Sequence, residues 1–207
     1  IFGILPAGSA NGLATDLNLP KTLEENLHIC FHCDYIELDM VEINGKKCLH
    51  LSDLGLNATL IKNYENNAVH GKLGYASQVI NTLIDREAPF HTTINTNGKK
   101  KQYLAQMIVI ANSRKYGTGV TINPNGLMND GKFELVIIKN LDWFVFSKII
   151  TGNLPLDSDD LEIISTNKAI IKNEGPVSFQ IDGEYCGLET ELVISISDQK
   201  MKVAVPC

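Results

Sequence analysis

Short predicted strands separated by two-residue turn signals constrain the fold of this chain more than any other feature. Tyr35–Ile43 alternates acidic and apolar residues, Asn44-Gly45 is a hairpin signal, and Lys47–Leu51 continues as a second strand. Asn97-Gly98 repeats this device between two further strands. Later strands are predicted over Phe90–Thr96, Gln102–Asn112, Lys132–Lys139, Leu161–Ile164, Ala169–Ile171, Val177–Ile181, Glu191–Ser197 and Lys202–Val205. Strands at this regular spacing predict a mainly β (α+β) chain, folded as an antiparallel sandwich or barrel.

Two segments interrupt the strands with helical periodicity. Apolar residues recur on one face between Leu73 and Ile84, and Trp143–Ile150 is predicted as a shorter helix. Neither belongs to an apolar run that approaches the roughly 20 residues of a transmembrane helix. The sequence therefore predicts no transmembrane segment.

The N-terminal segment has a different pattern. Ile1–Leu5 predicts a buried strand, Gly8 permits a sharp turn, and a short helix is predicted to end near Leu17. Ser9 or Asn11 can cap that helix. Strand, turn and helix in this order are typical of one unit of an α/β domain, and one unit cannot form a sheet alone. The chain starts inside the predicted strand, without methionine or a charged leader, which indicates a piece of a longer protein.

Charge and cysteine content argue against several classes of protein. The 207 residues carry a formal net charge of −6, and the lysines are scattered apart from Lys99–Lys101. No nucleic-acid partner is expected, because a phosphate backbone needs a concentrated basic face. Five cysteines without an export signal predict a reduced cytoplasmic protein rather than a disulfide scaffold.

Two histidines and two cysteines in the segment His28–Cys33 raise the question of a metal site. In a strand, three of these side chains would share one face. A fourth zinc ligand would have to come from Cys48, His50 or Cys186, and none of these stands at a recognised ligand spacing. We therefore interpret the segment as a half-buried strand and expect no zinc site.

Two Asp-Gly pairs, Asp130-Gly131 and Asp182-Gly183, stand at strand boundaries, where each is first of all a turn signal. The second pair is followed by Glu184, so that two carboxylates flank one glycine closely. Ionised carboxylates only accept hydrogen bonds, and such a pair can hold a substrate hydroxyl or a cation and act as a general base. The residues alone leave both interpretations open.

Taken in order, these segments resemble the diacylglycerol kinase and sphingosine kinase-like lipid kinases, particularly the soluble bacterial members. The resembling segments are Leu5–Asn11, which is similar to the family's proline–x–glycine–threonine–x–asparagine turn, Leu49–Ala58, Lys72–Leu83, Asn112–Gly119, Asn129–Phe133 and Ile181–Glu184. The resemblance implies that residues 1–34 are a remnant of an α/β nucleotide-binding domain and that residues 35–207 are the β-sandwich C-terminal domain. The family's Gly-Gly-Asp-Gly-Thr phosphate loop does not occur in this sequence, so the chain is expected to be truncated at its N-terminus and inactive alone.

The resemblance also implies a reaction, ATP-dependent phosphorylation of a lipid hydroxyl at the inner membrane surface by a cytoplasmic enzyme. The implied catalytic residues are Glu184 as proton acceptor, Asp182 beside it and Asp39 in support. The implied ATP contacts are Ser9 and the nearby Asn11. The implied Mg²⁺ ligands are Asp130 and the backbone carbonyls of Leu127 and Lys132, oxygen donors of the kind that a hard cation prefers.

Two rival functions stay open. An NAD kinase shares a similar phosphate loop, and a non-catalytic β-sandwich could bind a lipid or a partner protein. The identity of the lipid (diacylglycerol, phosphatidylglycerol, sphingosine or an undecaprenyl-type alcohol) is also open, because acceptor choice depends on pocket shape. Exposed strand edges leave room for a homodimer.

Overall fold

The computed structural model of the protein describes residues 1–8, 11–55, 88–116, 120–140 and 159–207. The described helices are α1 (Gly12–Asp16) and α2 (Leu23–His32), and neither is long and apolar enough to cross a bilayer. The strands are β1 (Tyr35–Ile43), β2 (Lys46–Cys48), β3 (Leu51–Gly55), β4 (Phe90–Thr96), β5 (Lys99–Ala105), β6 (Met107–Ala111), β7 (Lys115–Tyr116), β8 (Val120–Thr121), β9 (Phe133–Ile138), β10 (Leu161–Thr166), β11 (Lys168–Ile181) and β12 (Glu184–Ala204). The helices predicted over residues 73–84 and 143–150 lie outside the described residues.

The strands β1–β6 and β9–β12 form one antiparallel sheet, in the order β10-β9-β6-β3-β11-β12-β1-β2, with β4 paired to β11 and β5 paired to β4. One edge of β11 pairs with β4 through residues 169–173 and with β3 through residues 179–181, so the sheet divides into two wings there. Buried side chains of both wings, among them Ile94 and Phe133, belong to one apolar core. The fold is therefore sandwich-like and antiparallel, which confirms the predicted fold class.

The hairpin signals act as predicted. Asn44 and Gly45 have φ angles of 48° and 80°, and Asn97 and Gly98 have 49° and 71°. Positive φ at both central residues is the geometry of the two-residue turn that suits the twist of antiparallel strands. These turns fix the ends of β1 and β4, whose bounds agree with the prediction.

One predicted strand, Gln102–Asn112, is two strands in the structure. β5 pairs with β4, whereas β6 pairs with β3 and β9, and Gln106 lies between the two strands. Gly55 approaches this break so closely that a Cβ there would lie 2.5 Å from the Gln106 carbonyl oxygen. Its φ of 96° also favours glycine. Other predicted strands are merged in the structure: the short strands predicted within residues 169–181 and 191–205 are parts of the long strands β11 and β12.

The segment His28–Cys33 belongs mainly to α2, so the strand predicted there is wrong. The Thr22 side chain accepts a hydrogen bond from the Glu25 amide at 3.4 Å, and its hydroxyl donates to the Glu25 carboxylate. A threonine followed three residues later by glutamate is the sequence signature of a helix start, and it outweighs the β-like alternation that follows. His28 and His32 consequently lie one helical turn apart, with ring centroids separated by 4.9 Å.

The N-terminal strand also differs from its prediction. Ile1 and Phe2 are 75% and 62% exposed, and Phe2 pairs with Val203 through an isolated parallel bridge rather than inside a sheet. Asn11 makes no side-chain cap on α1. Its amide group instead accepts from the Gly8 amide and donates to the Gly8 carbonyl, each at 2.8 Å.

A small second core fastens the N-terminal region to the sheet. Leu17, at the end of α1, packs with Leu38 of β1 and Val203 of β12. The expected domain boundary after residue 34 falls between α2 and β1.

Cys33 and Cys207 form a disulfide. The chain end runs beside the residues that follow α2, where the Val205 amide donates to the Asp34 carbonyl at 3.1 Å. This long-range pairing brings together two cysteines 174 residues apart, so the structure differs here from the fully reduced chain that the cysteine count predicts.

Candidate functional site

The β11–β12 hairpin carries the Asp-Gly-Glu sequence at its turn. Asp182 and Gly183 have φ angles of 50° and 92°, as a tight two-residue turn requires. The carboxylate of this aspartate accepts hydrogen bonds from the backbone amides of Leu49, His50 and Leu51, at 2.8, 2.9 and 3.1 Å. These bonds fasten the turn to the segment that joins β2 to β3.

Cys48 also lies beside the Asp182 carboxylate. Its fully buried thiol is 3.3 Å from Asp182 Oδ1. Burial, and after it the negative charge of Asp182, raises the pKa of the Cys48 thiol well above its usual value. The thiol therefore stays protonated at neutral pH and acts as a weak donor rather than as a nucleophile.

Glu184 follows the glycine and has an exposed side chain. The backbone beside it is well anchored, because the Gly183 amide donates to Gln180 Oε1 at 2.8 Å. The Gln180 side chain is 2% exposed and donates in turn to the buried carboxylate of Asp53. The two carboxylates of the Asp-Gly-Glu turn thus have different surroundings: one binds backbone amides and the other faces solvent.

A buried asparagine links this hairpin to Asp39. The Asn112 side-chain nitrogen donates to the Asp39 carbonyl at 2.9 Å and to the Leu49 carbonyl at 2.8 Å. Because Leu49 also donates its amide to Asp182, a chain of hydrogen bonds runs from Asp182 to Asp39. Asn112 lies in one of the resembling segments, but the sequence alone assigns it no role.

Asp39 is completely buried in β1 and holds the turn that contains Asp130. Its Oδ2 accepts a hydrogen bond from the Gly131 amide at 2.6 Å, and its own amide donates to the Met128 carbonyl at 2.7 Å. Lys200 Nζ lies 2.9 Å from Asp39 Oδ1, and the hydrogen bond and then the charge of Asp39 raise the pKa of Lys200. Asp39 therefore connects the Asp130 turn with the hairpin network.

The turn over residues 127–132 contains the three residues whose oxygen atoms the resemblance implies as Mg²⁺ ligands. Asp130 is exposed, and its Oδ1 accepts from the Lys132 amide at 3.0 Å. Leu127 is 57% exposed. One carboxylate and two backbone carbonyls form a donor set that fits a hard cation such as Mg²⁺.

The predicted ATP contacts lie in the turn before α1. Ser9 is outside the described residues, whereas Asn11 holds the turn by its two hydrogen bonds with the Gly8 backbone. A Cβ on Gly8 would lie 3.1 Å from Asn11 Oδ1, so a larger residue at this position would crowd the Asn11 side chain. Asn11 thus binds the backbone of Gly8, the residue that precedes Ser9 in the sequence.

Asp16 and His50 connect α1 to the segment that joins β2 to β3. The sequence assigns neither residue a role in the site. Asp16 is 8% exposed, and its Oδ2 lies 2.9 Å from the Lys115 amide and 3.3 Å from His50 Nε2. Burial raises the pKa of Asp16, but the hydrogen bonds from His50 and Lys115 outweigh it, so this pKa lies below its usual value. The partners are 34 and 99 residues away, so no local pattern could reveal the contact.

The chain is similar to proteins that carry kinase names. The sequence model described as the YegS C-terminal NAD kinase beta sandwich-like domain matches residues 53–205. The lipid kinase YegS of Escherichia coli (strain K12) is 30% identical over 187 residues, which cover 88% of this chain and 62% of that protein. The chain therefore spans less than two thirds of the length of this curated relative.

A solved structure from Bacillus anthracis str. Sterne, which carries a provisional diacylglycerol kinase name, superposes with a TM-score of 0.78 at 20% identity. The superposition covers 98% of this chain and 68% of that chain. At this identity the likeness concerns the fold alone.

Proposed function

Because the chain belongs to the family of the YegS C-terminal NAD kinase beta sandwich-like domain, we propose that it is part of a kinase that phosphorylates a lipid hydroxyl with ATP. The lipid kinase name of its Escherichia coli relative supports this reaction class. The observation that carries the proposal is the β11–β12 turn, where Asp182 is anchored to backbone amides and Glu184 is left exposed beside it.

In this proposal Glu184 is the general base. Its exposed carboxylate accepts the proton of the lipid hydroxyl, which leaves the oxygen nucleophilic. Asp182 acts as a positioning residue, since its own oxygens are engaged by the amides of residues 49–51. Phosphoryl transfer depends mostly on positioning and on neutralising charge, so an anchored turn under the base suits this chemistry.

The cofactors of the proposed reaction are ATP and Mg²⁺. ATP supplies the phosphoryl group when bound, and metal ions neutralise its charge. The turn from Gly8 to Asn11, with Ser9 between them, would contact the nucleotide. A structural Mg²⁺ would be held by Asp130 together with the carbonyls of Leu127 and Lys132. Asp39 keeps that turn in place through the Gly131 amide.

We also propose that the 207-residue chain is inactive alone. It lacks the Gly-Gly-Asp-Gly-Thr loop that the resemblance implies for the nucleotide phosphates, and it spans 62% of its curated relative. The enzyme would work in the cytoplasm and reach its lipid at the inner membrane surface. Activity is therefore to be measured on the full-length protein.

The experiment incubates full-length protein with radiolabelled ATP and Mg²⁺, and offers NAD and vesicles containing diacylglycerol, phosphatidylglycerol or sphingosine as acceptors. Label transferred to a lipid supports the proposal and identifies the lipid class. Label found only in NADP would instead assign the chain to an NAD kinase. Binding of vesicles without transfer to any acceptor would favour a non-catalytic module.

A further inference from the structure

We propose that Asp16 and His50 are positioning residues that hold the N-terminal turn, defined by the hydrogen-bonded residues Gly8 and Asn11, and the turn at residues 182–184 in a fixed relation. Their effect on catalysis rests on the proposed function, in which the first turn contacts ATP and the second carries the base. The mechanical link between the two turns is a matter of geometry and can be measured without any activity.

The link begins at the N-terminal turn. Asn11 fixes the turn through Gly8, and its carbonyl accepts hydrogen bonds from both the amide and the hydroxyl of Thr15, at 2.9 and 3.0 Å. α1 has only five residues, so Asp16 follows immediately after these contacts. A displacement of Asn11 is therefore expected to move the Asp16 carboxylate as well.

The link continues through the imidazole of His50. Its Nε2 lies 3.3 Å from Asp16 Oδ2, and the side chains of the two residues are 13% and 2% exposed. The His50 amide donates to Asp182 Oδ1 at 2.9 Å. One residue thus contacts α1 with its ring and the hairpin turn with its backbone.

The second contact of Asp16 fixes its direction. The Lys115 amide donates to the same Oδ2 at 2.9 Å, so the carboxylate is held between β7 and the segment that joins β2 to β3. Burial of a carboxylate is costly unless hydrogen bonds compensate for it, and Asp16 has them at Oδ2, whereas its buried Oδ1 has no hydrogen-bond partner among the described residues. If the pair served stability alone, apolar side chains could replace it without loss of stability. If the pair sets the spacing of the two turns, the same replacement would change that spacing.

If the pair sets this spacing, its loss should lower kcat rather than weaken lipid binding. Misplacing reacting groups by about 1 Å can cost on the order of 100-fold in rate. We expect Asp16→Ala and His50→Phe each to lower kcat at least about tenfold, with the KM for lipid unchanged. The double variant should lose no more than the worse single variant, because both substitutions break one link.

The test combines hydrogen exchange and kinetics on the full-length protein. Amides of Asp182 and Gly183 should exchange about tenfold faster in Asp16→Ala than in the wild type, although these amides do not contact Asp16. Asp16→Asn guards against a folding failure, because it keeps the side-chain volume and an acceptor for the Lys115 amide, and it should show a smaller effect. Lys101→Ala is the control: it breaks an exposed ion pair with Glu162, at 2.8 Å, and should change neither readout.

Unchanged exchange at Asp182 and Gly183 in folded Asp16→Ala and His50→Phe would overturn the link. Additive losses of kcat in the double variant would also overturn it, since two independent roles would then be at work. If the wild type transfers no phosphate to lipid, the proposed function fails, and the exchange measurement alone still decides whether the two turns are linked.

Discussion

At the scale of single residues, Asp182 binds backbone amides with both carboxylate oxygens. Oδ2 accepts from Leu49, and Oδ1 accepts from His50 and Leu51. Asparagine suits a two-residue hairpin turn as well as aspartate does, so a role limited to the turn would make Asp182→Asn silent. The structure predicts a different result, because the new NH₂ group would face a backbone donor in either orientation.

We therefore expect Asp182→Asn to lower the free energy of unfolding by at least about 1 kcal/mol, the typical contribution of one hydrogen bond. Urea denaturation at neutral pH measures this change. Asp130→Asn is the matched control, since it also precedes a glycine but accepts one hydrogen bond at the surface, and it should be nearly neutral without added metal. Equal free energies of unfolding for Asp182→Asn and the wild type would show that the amide contacts do not stabilise the fold.

Asp16 gives a prediction about pH. Its pKa is lower in the folded protein than the value of about 3.9 expected in the unfolded chain, so folding favours the ionised form. The resulting stabilisation is present above about pH 4 and is lost as the pH falls through the lower folded pKa. The stability advantage of the wild type over Asp16→Asn should therefore shrink on acidification below about pH 4.

Urea titrations between neutral and acidic pH test this behaviour. Glu37→Gln provides the control, because the exposed pair of Glu37 with Lys202, at 3.5 Å, should contribute little at any pH. An advantage over Asp16→Asn that stays constant across the acidic range would contradict the lowered pKa.

At the scale of elements, the turn between β8 and β9 depends on β1. Asp39 receives the Gly131 amide and donates its own amide to Met128, so the turn is held at two points. These two contacts hold residues on either side of Asp130, the proposed Mg²⁺ ligand, against β1. The proposed Mg²⁺ site is therefore a property of the turn and of the strand beneath it.

We expect millimolar Mg²⁺ to raise the melting temperature of the protein, because a ligand that binds only the folded state stabilises it. Asp130→Ala should abolish this rise, and Asp39→Asn should reduce it by loosening the turn. Thermal unfolding with and without Mg²⁺ is the measurement. Asp198→Ala, an exposed aspartate on β12, should keep the full rise, and an identical rise in Asp130→Ala would remove Asp130 from the site.

At the scale of the whole molecule, the sequence predicts best where a structure depends on local chemistry. Asn44-Gly45 and Asn97-Gly98 specify their hairpins because few other residues tolerate positive φ at both positions. The strand predicted over residues 28–33 failed although a local signal was present, since Thr22 and Glu25 mark a helix start.

The connections within the candidate site could not be predicted in this way. Asn112 reaches Leu49 across 63 residues, and Asp16 reaches His50 across 34. Such contacts are set by how strands pair and by how α1 packs on the sheet, and a buried asparagine or aspartate has the same local pattern whether or not it serves a site. The resemblance named Asp39, Asp182 and Glu184 together, and the hydrogen bonds give the first two of them anchoring contacts.

The proposed role of Glu184 as the general base of a lipid kinase can be tested with Glu184→Gln in the full-length protein. The substitution keeps the shape of the side chain and removes its basicity. Glu191→Gln is the matched control, because it changes an exposed glutamate of the same strand that pairs with Lys172. The measurement is kcat at saturating lipid, together with the Kd for ATP.

We expect Glu184→Gln to lower kcat by about 10²- to 10⁴-fold, the usual cost of losing a general base, while the ATP affinity and the control variant stay near wild type. A Glu184→Gln enzyme that keeps more than about a tenth of the wild-type kcat would contradict the claim, since that loss is too small for a base.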